Sequence, residues 1–217
     1  MTGVRPPRTG GPGATIDRLI VAVGLGRRRW PLVTTIVLLT TAATSCAQLL
    51  YHPVFYALHR DPDALAAGEW WRVATWMFVQ DGWLAGTVVN LVALSVVGTV
   101  FEWMFGPARW LLTYFVSGLI GQIPGFVWNP YGAGNSVPVA VMLGALVSLL
   151  AVAPPWFGVP LPWQLRVWVL LAPVLAVLDT VARDNHGMAL LLGVLLGAVM
   201  LRLQRHRADE RDRPIPD

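Results

Sequence analysis

The chain has no lysine. All sixteen of its basic residues are arginine, in a length of 217. Charge of either sign is scarce, at 13% of residues against 55% hydrophobic, and the mean hydropathy is +0.58. A soluble globular domain carries roughly twice that charge, so this class is excluded and an integral membrane protein is indicated. A single cysteine, Cys46, excludes an intramolecular disulfide. The arginines form no patch interleaved with aromatics, which excludes nucleic acid as a partner and leaves membrane lipids. The length accommodates about six spans of roughly 20 residues in one membrane domain.

Six apolar runs are present: about Trp30–Tyr51, Leu84–Phe105, Trp110–Trp128, Ser136–Val152, Leu165–Val181 and His186–Leu203. Residues 1–14 have the Gly-, Pro- and Arg-rich composition of disorder. Between the first two runs lies a polar, aromatic stretch, His52–Gln80, in which Val73–Val79 is too short to span. Ala153–Trp163 reads as a Pro-rich loop. With the N-terminus inside, 13 of 16 arginines fall on the cytoplasmic side, and only Arg60, Arg72 and Arg183 lie outside. That bias satisfies the positive-inside rule and supports six spans with both termini cytoplasmic. The chain divides accordingly into a tail over residues 1–29, a membrane domain over 30–204 and a second tail over 205–217. Arginine without lysine, together with abundant Ala, Gly and Pro, fits a GC-rich bacterial genome and hence a bacterial plasma membrane.

Alternation of the spans has a consequence for two polar residues. Ser136 opens the fourth run and His186 opens the sixth, so both meet the bilayer at the same outer face. A serine becomes a nucleophile when a neutral histidine within hydrogen-bond reach takes its proton. Each alone also fits a helix cap or an interfacial side chain; the matched depth favours the pair without deciding between the readings. Pro138 suits a first helical turn, whose positive end would face a developing oxyanion near Ser136. Asn90, inside the second span, is either an oxyanion donor or an interhelical hydrogen-bond partner. Glu102 lies about 18 Å further along that helix, near Arg109, where a structural pair or cap is expected. Gly193 and Gly197 form a small-residue stripe that would let the sixth helix approach the fourth at Gly144.

Together these residues resemble the rhomboid family of intramembrane serine proteases, from about Trp70 to Gly197. Trp71-Arg72 looks like the family's WR motif. Asn90, Glu102, Gly106 and Arg109 follow its pattern along the second span. Gly134-Asn135-Ser136 looks like the start of its GxSG motif, and His186 with Gly193 like its last span. The resemblance implies an all-α polytopic membrane protein with a rhomboid-like bundle of six transmembrane helices. It implies hydrolysis of transmembrane protein substrates near the outer membrane boundary by a Ser136–His186 dyad, without metal or cofactor. It assigns the oxyanion to the Ser136 backbone N–H and the Asn90 side chain. The sequence departs from the family at Val137, where glycine follows the serine, and at Gly86, where the family commonly has a histidine, so that one oxyanion donor is missing. It departs again at Ala140, in place of an aromatic residue, and at Gln80, near the usual place of another histidine. These departures leave open a rhomboid-like pseudoprotease that binds transmembrane segments without cutting them. A small transporter is the third reading, disfavoured by the few polar groups within the spans. Oligomeric state is not readable from the sequence.

Overall fold

The computed structural model describes residues 17–19, 29–158 and 160–211. The expected disorder of residues 1–14 lies outside them, as does the end of the second tail. Six helices are long and apolar enough to cross a membrane: α1 (Leu32–Leu50), α2 (Trp83–Phe105), α3 (Pro107–Trp128), α4 (Ser136–Phe157), α5 (Trp163–Val181) and α6 (Asn185–Arg211). Among the described residues there is no strand, only an isolated bridge between Arg60 and Gly132. The protein is thus an all-α polytopic integral membrane protein.

The largest departures from the expected boundaries are the ends of α4 and α6; the other span ends shift by three residues or fewer. Helix α4 runs on to Phe157, through part of the segment read as a loop. Pro154 and Pro155 supply no N–H there, so the last turn of α4 is held by fewer intrahelical hydrogen bonds than the turns before it. Helix α6 continues to Arg211, because arginine is a good helix former and a helix need not end where its apolar run ends. The short stretch around Val73–Val79 does not span. It forms a four-residue helix, Arg72–Thr75, and then buries Trp76, Met77 and Val79 completely.

Helix α4 is the centre of the bundle. Of its most apolar residues 61% are buried, against 11% in α5, which leaves α5 the most lipid-exposed span. Its large exposed side chains, such as Leu170 and Leu178, are what a lipid-facing helix presents. Without a hydrophobic drive between helices in lipid, close backbone packing has to hold them. That packing is present between α4 and α6. A Cβ on Gly144 would lie 2.0 Å from the Leu190 carbonyl, one on Gly193 would lie 2.0 Å from that of Val141, and one on Gly197 would lie 2.6 Å from that of Ala145. Helix α3 packs its glycines against side chains instead: Gly118 meets Pro138 of α4, and Gly121 meets Val137 and Val141 of α4 and Ala189 of α6.

The far end of the bundle is closed by Glu102. Helix α1 has no side-chain cap of its own at Pro31. The Glu102 carboxylate on α2 accepts hydrogen bonds from Val33 N (3.1 Å), Thr34 N (2.8 Å) and Thr34 Oγ1 (2.7 Å), satisfying first-turn donors from another helix. Gly106, at φ +83°, then turns the chain into α3. Helices α2 and α3 each contain a π-type turn, at Leu94–Gly98 and Leu112–Ser117. Such turns leave carbonyls displaced, and Trp110 Nε1 donates to that of Gly98 at 3.1 Å.

Replacing Gly193 by alanine should force α6 away from Val141 and lower stability by about 1–3 kcal/mol. Thermal unfolding in detergent checks this, and a variant as stable as the wild type would mean the helices are not in backbone contact.

Candidate active site

Ser136 and His186 begin α4 and α6, and the close approach of those helices carries their side chains together. His186 Nε2 lies 2.8 Å from Ser136 Oγ. A neutral imidazole so placed can accept the hydroxyl proton. On its other side His186 Nδ1 lies 2.5 Å from Asp184 Oδ1, and the same oxygen accepts the His186 backbone N–H at 2.9 Å. The Asp184 carboxyl is held below its usual range: burial works to raise it, and the backbone and ring hydrogen bonds and charge of His186 more than offset that. The start of α6 is tied to α3 by Asn185 Nδ2 donating to Gln122 Oε1 at 3.0 Å.

A shallow cleft of about 80 Å³ opens at this pair, lined among others by Arg60, Trp76, Asp81, Gly132, Gly134 and Val137. Arg60 comes from the loop after α1 and is buried. Its guanidinium donates to Pro130 O at 2.9 Å and to Asn129 O, and its backbone N–H donates to Gly132 O at 2.9 Å. Asp81 Oδ2 accepts the Ala133 N–H at 2.6 Å. These contacts lay the segment before Ser136 against the first loop. Burial lowers the Arg60 pKa to about 10, with the charge of Asp81 working the other way. Asp81 is raised, chiefly by burial of its carboxyl, against the pull of Ala133 N–H, Arg60 and His59.

Gly134, two residues before Ser136, has φ +124°, a backbone region that side chains other than glycine's rarely adopt. Its N–H donates to Trp76 O at 2.9 Å. A Cβ there would sit 3.3 Å from Asn90 Nδ2 and 3.4 Å from Gln80 Oε1, so both amides border the serine segment. Asn90 Nδ2 donates to Gln80 Oε1 at 2.7 Å, an interhelical-type bond that uses one of its two amide hydrogens. Gln80 is itself anchored by reciprocal bonds of 2.8 Å between its backbone and the Gln48 side chain on α1.

The remaining sequence-selected residues lie away from the pair. Arg72 pairs with Glu69 at 2.7 Å and donates to Tyr56 O and His59 O, and Trp71 Nε1 donates to Ala57 O at 3.1 Å, so both brace the first loop. Glu102, Gly106 and Arg109 are at the far end, and Gly193 is in the α4–α6 seam. The departures acquire physical reasons. A Cβ on Gly86 would lie 2.0 Å from Asp81 O, so the turn into α2 admits no side chain there. Val137 is buried and packs against Gly121 of α3. Among the described residues no group of three or more His, Cys, Asp or Glu is placed to hold a metal ion. Sequence reading passed over Arg60, Asp81 and Asp184. The signal for Arg60 was its position outside against the arginine bias.

A family model described as Rhomboid domain matches residues 67–203. The chain is 40% identical over 89 residues, 41% of its length, to rhomboid protease GluP of Bacillus subtilis (strain 168). Over 108 residues, 48% of its length, it is 33% identical to YdcA of the same organism, provisionally named a rhomboid protease. Over 85 residues, 38% of its length, it is 34% identical to Inactive RHOMBOID-like protein 8 of Arabidopsis thaliana. The matched stretches span 17%, 53% and 24% of those relatives' own lengths, under two thirds in each case.

The Arg60 contacts generate a pH-dependent expectation. Arg60→Met strips two loop carbonyls of their donor and should cost about 1–3 kcal/mol. It also removes the positive charge facing Asp81, raising that carboxyl further. A carboxyl raised in the folded state costs stability above its folded pKa, and the cost disappears as protonation sets in. The deficit relative to wild type should therefore be largest at neutral pH and narrow as pH falls, by a small margin because Asp81 retains contact with water. Unfolding midpoints from pH 4 to 8 measure it; a deficit that widens toward acid would contradict the effect of the Arg60 charge on Asp81.

Proposed function

The chain belongs to the rhomboid family, and from that premise we propose that it is an intramembrane serine endopeptidase. Its substrates are transmembrane proteins, cut near the outer membrane boundary, with Ser136 as nucleophile and His186 as general base. The observation that carries this reading is the 2.8 Å contact between His186 Nε2 and Ser136 Oγ.

In the first step the Ser136 hydroxyl proton passes to His186 Nε2 while Oγ bonds to the scissile carbonyl carbon. The carbonyl π pair moves onto oxygen. The N–H of Ser136, one of the first-turn donors a helix leaves unpaired within itself, and the second amide hydrogen of Asn90 receive that charge. Collapse of the intermediate breaks the C–N bond as Nε2–H protonates the leaving amine. Water, deprotonated by His186, then hydrolyses the acyl-enzyme and restores Ser136.

An apolar cavity of about 530 Å³ supports a transmembrane substrate class. It lies between α2, α4 and α5, and its lining runs from Leu143 and Asp179, toward the Ser136 end, to Met104 and Leu165 at the other. Leu19, ahead of α1, also lines it. The arginine bias favours a bacterial plasma membrane orientation with both tails cytoplasmic and Ser136 outside.

A second reading is a family member that binds transmembrane helices without cleaving them. It is favoured by Gly86, where no side chain and hence no oxyanion donor beyond the Ser136 N–H and Asn90 fits. Loss of one such donor costs about 100- to 1,000-fold in rate. The purified protein in lipid vesicles should cut a synthetic single-span peptide carrying a fluorophore and quencher across its outer boundary. Ser136→Ala and His186→Ala should each lower the rate at least about a thousandfold. Cleavage by the variants equal to wild type would overturn the assignment, and peptide binding without cleavage by wild type would favour the second reading.

A further inference from the structure

Asp184 occupies a position fixed by two helices at once. Helix α5 ends in a reversed turn: Arg183 has φ +60°, its N–H bonds to Thr180 O at 3.0 Å, and the Asp184 N–H bonds to Asp179 O at 2.9 Å. This 5→2 and 6→1 pattern is the Schellman closure of a helix, made here with arginine where glycine is usual. The next residues begin α6, and Asp184 Oδ1 accepts the His186 N–H as a helix cap does. The same oxygen faces His186 Nδ1 at 2.5 Å, opposite the 2.8 Å contact of Nε2 with Ser136. The three side chains form one line of hydrogen bonds, carboxylate to imidazole to hydroxyl.

We propose that Asp184 is a positioning residue of the site: it holds His186 with its proton on Nδ1, leaving Nε2 to accept from Ser136, and its charge stabilises the imidazolium that forms. This rests on Ser136 and His186 being nucleophile and base. Asp184 touches neither substrate nor the reacting atoms and keeps its proton balance throughout. The proton from Ser136 resides on Nε2 and returns to the leaving amine, while Nδ1–H stays bonded to the carboxylate. Arg60 and Asp81 line the same cleft, but the ring nitrogen facing away from Ser136 has Asp184 as its carboxylate partner.

An ordinary cap would explain the backbone bond alone, so the test separates cap from charge. Asparagine and serine cap helices about as well as aspartate. Asp184→Asn keeps an acceptor for the backbone N–H and removes the charge; Asp184→Ser keeps the cap and cannot reach Nδ1. The readout is phosphonylation of Ser136 by a fluorophosphonate probe in the full-length protein in lipid, resolved into the saturating rate and the half-saturating concentration, with thermal unfolding alongside.

The saturating rate should fall about tenfold in Asp184→Asn and about a hundredfold in Asp184→Ser. These losses are smaller than those of a buried triad because the Asp184 side chain is 51% exposed. The half-saturating concentration and the unfolding temperature should not move. Wild-type saturating rates in both variants, or losses that follow unfolding temperature alone, would overturn the role of Asp184 and leave the Ser136–His186 reading intact. Absence of any label on Ser136 in folded wild-type protein would overturn both.

Discussion

The backbone contact between α4 and α6 is the constraint on which the site depends. Two helices whose side chains interlock keep their axes about 8–10 Å apart. Here Gly144, Gly193 and Gly197 have no room for a Cβ, so the helices meet at carbonyl oxygens. Ser136 and His186 each sit at the start of one of these helices, within about two turns of the first glycine contact. A serine and a histidine have short side chains; they meet at 2.8 Å because the seam below them is this narrow. The seam and the Ser136–His186 contact are thus a single feature, read once as packing and once as a hydrogen bond.

The segments above the seam carry the second layer of control. Ser136 is preceded by a loop whose carbonyls are taken by Arg60 and whose Ala133 N–H is taken by Asp81. Gly134 turns that loop inward against Asn90 and Gln80, and Gln48 ties Gln80 to α1. Buried polar groups left without partners would be costly, and the bonds of this network satisfy several of them. The result is a polar floor with a serine at its edge, supported by charged side chains from the first loop. Glu102 performs the same service at the opposite end of the bundle, capping α1 across a helix interface.

Much of this was legible in the sequence. Six apolar runs and a one-sided distribution of arginine defined the spans, because hydropathy and charge act locally and over the whole length of a helix. Alternation then put Ser136 and His186 at one face, and the glycine spacing anticipated the α4–α6 seam. What could not be read depends on contacts between distant residues or on one dihedral angle. Arg60 reaches residues 129–132 across about seventy positions, and no periodicity marks such a pair. Asp184 faces His186 only because Arg183 takes a positive φ, which arginine itself gives no reason to expect. Gly86 read as a missing histidine; the fold makes it a place where the Asp81 carbonyl excludes any side chain.

If the seam builds the site, widening the seam must open the hydrogen bond. The direct measurement is the separation of Ser136 Oγ and His186 Nε2 in crystals grown from lipid, for the wild type and for Gly193→Ala. The account predicts a hydrogen-bonded pair at about 3 Å in the wild type and a separation beyond hydrogen-bond reach in the variant, with α6 displaced from Val141. The same separation in both proteins, with α6 displaced in the variant, would contradict it.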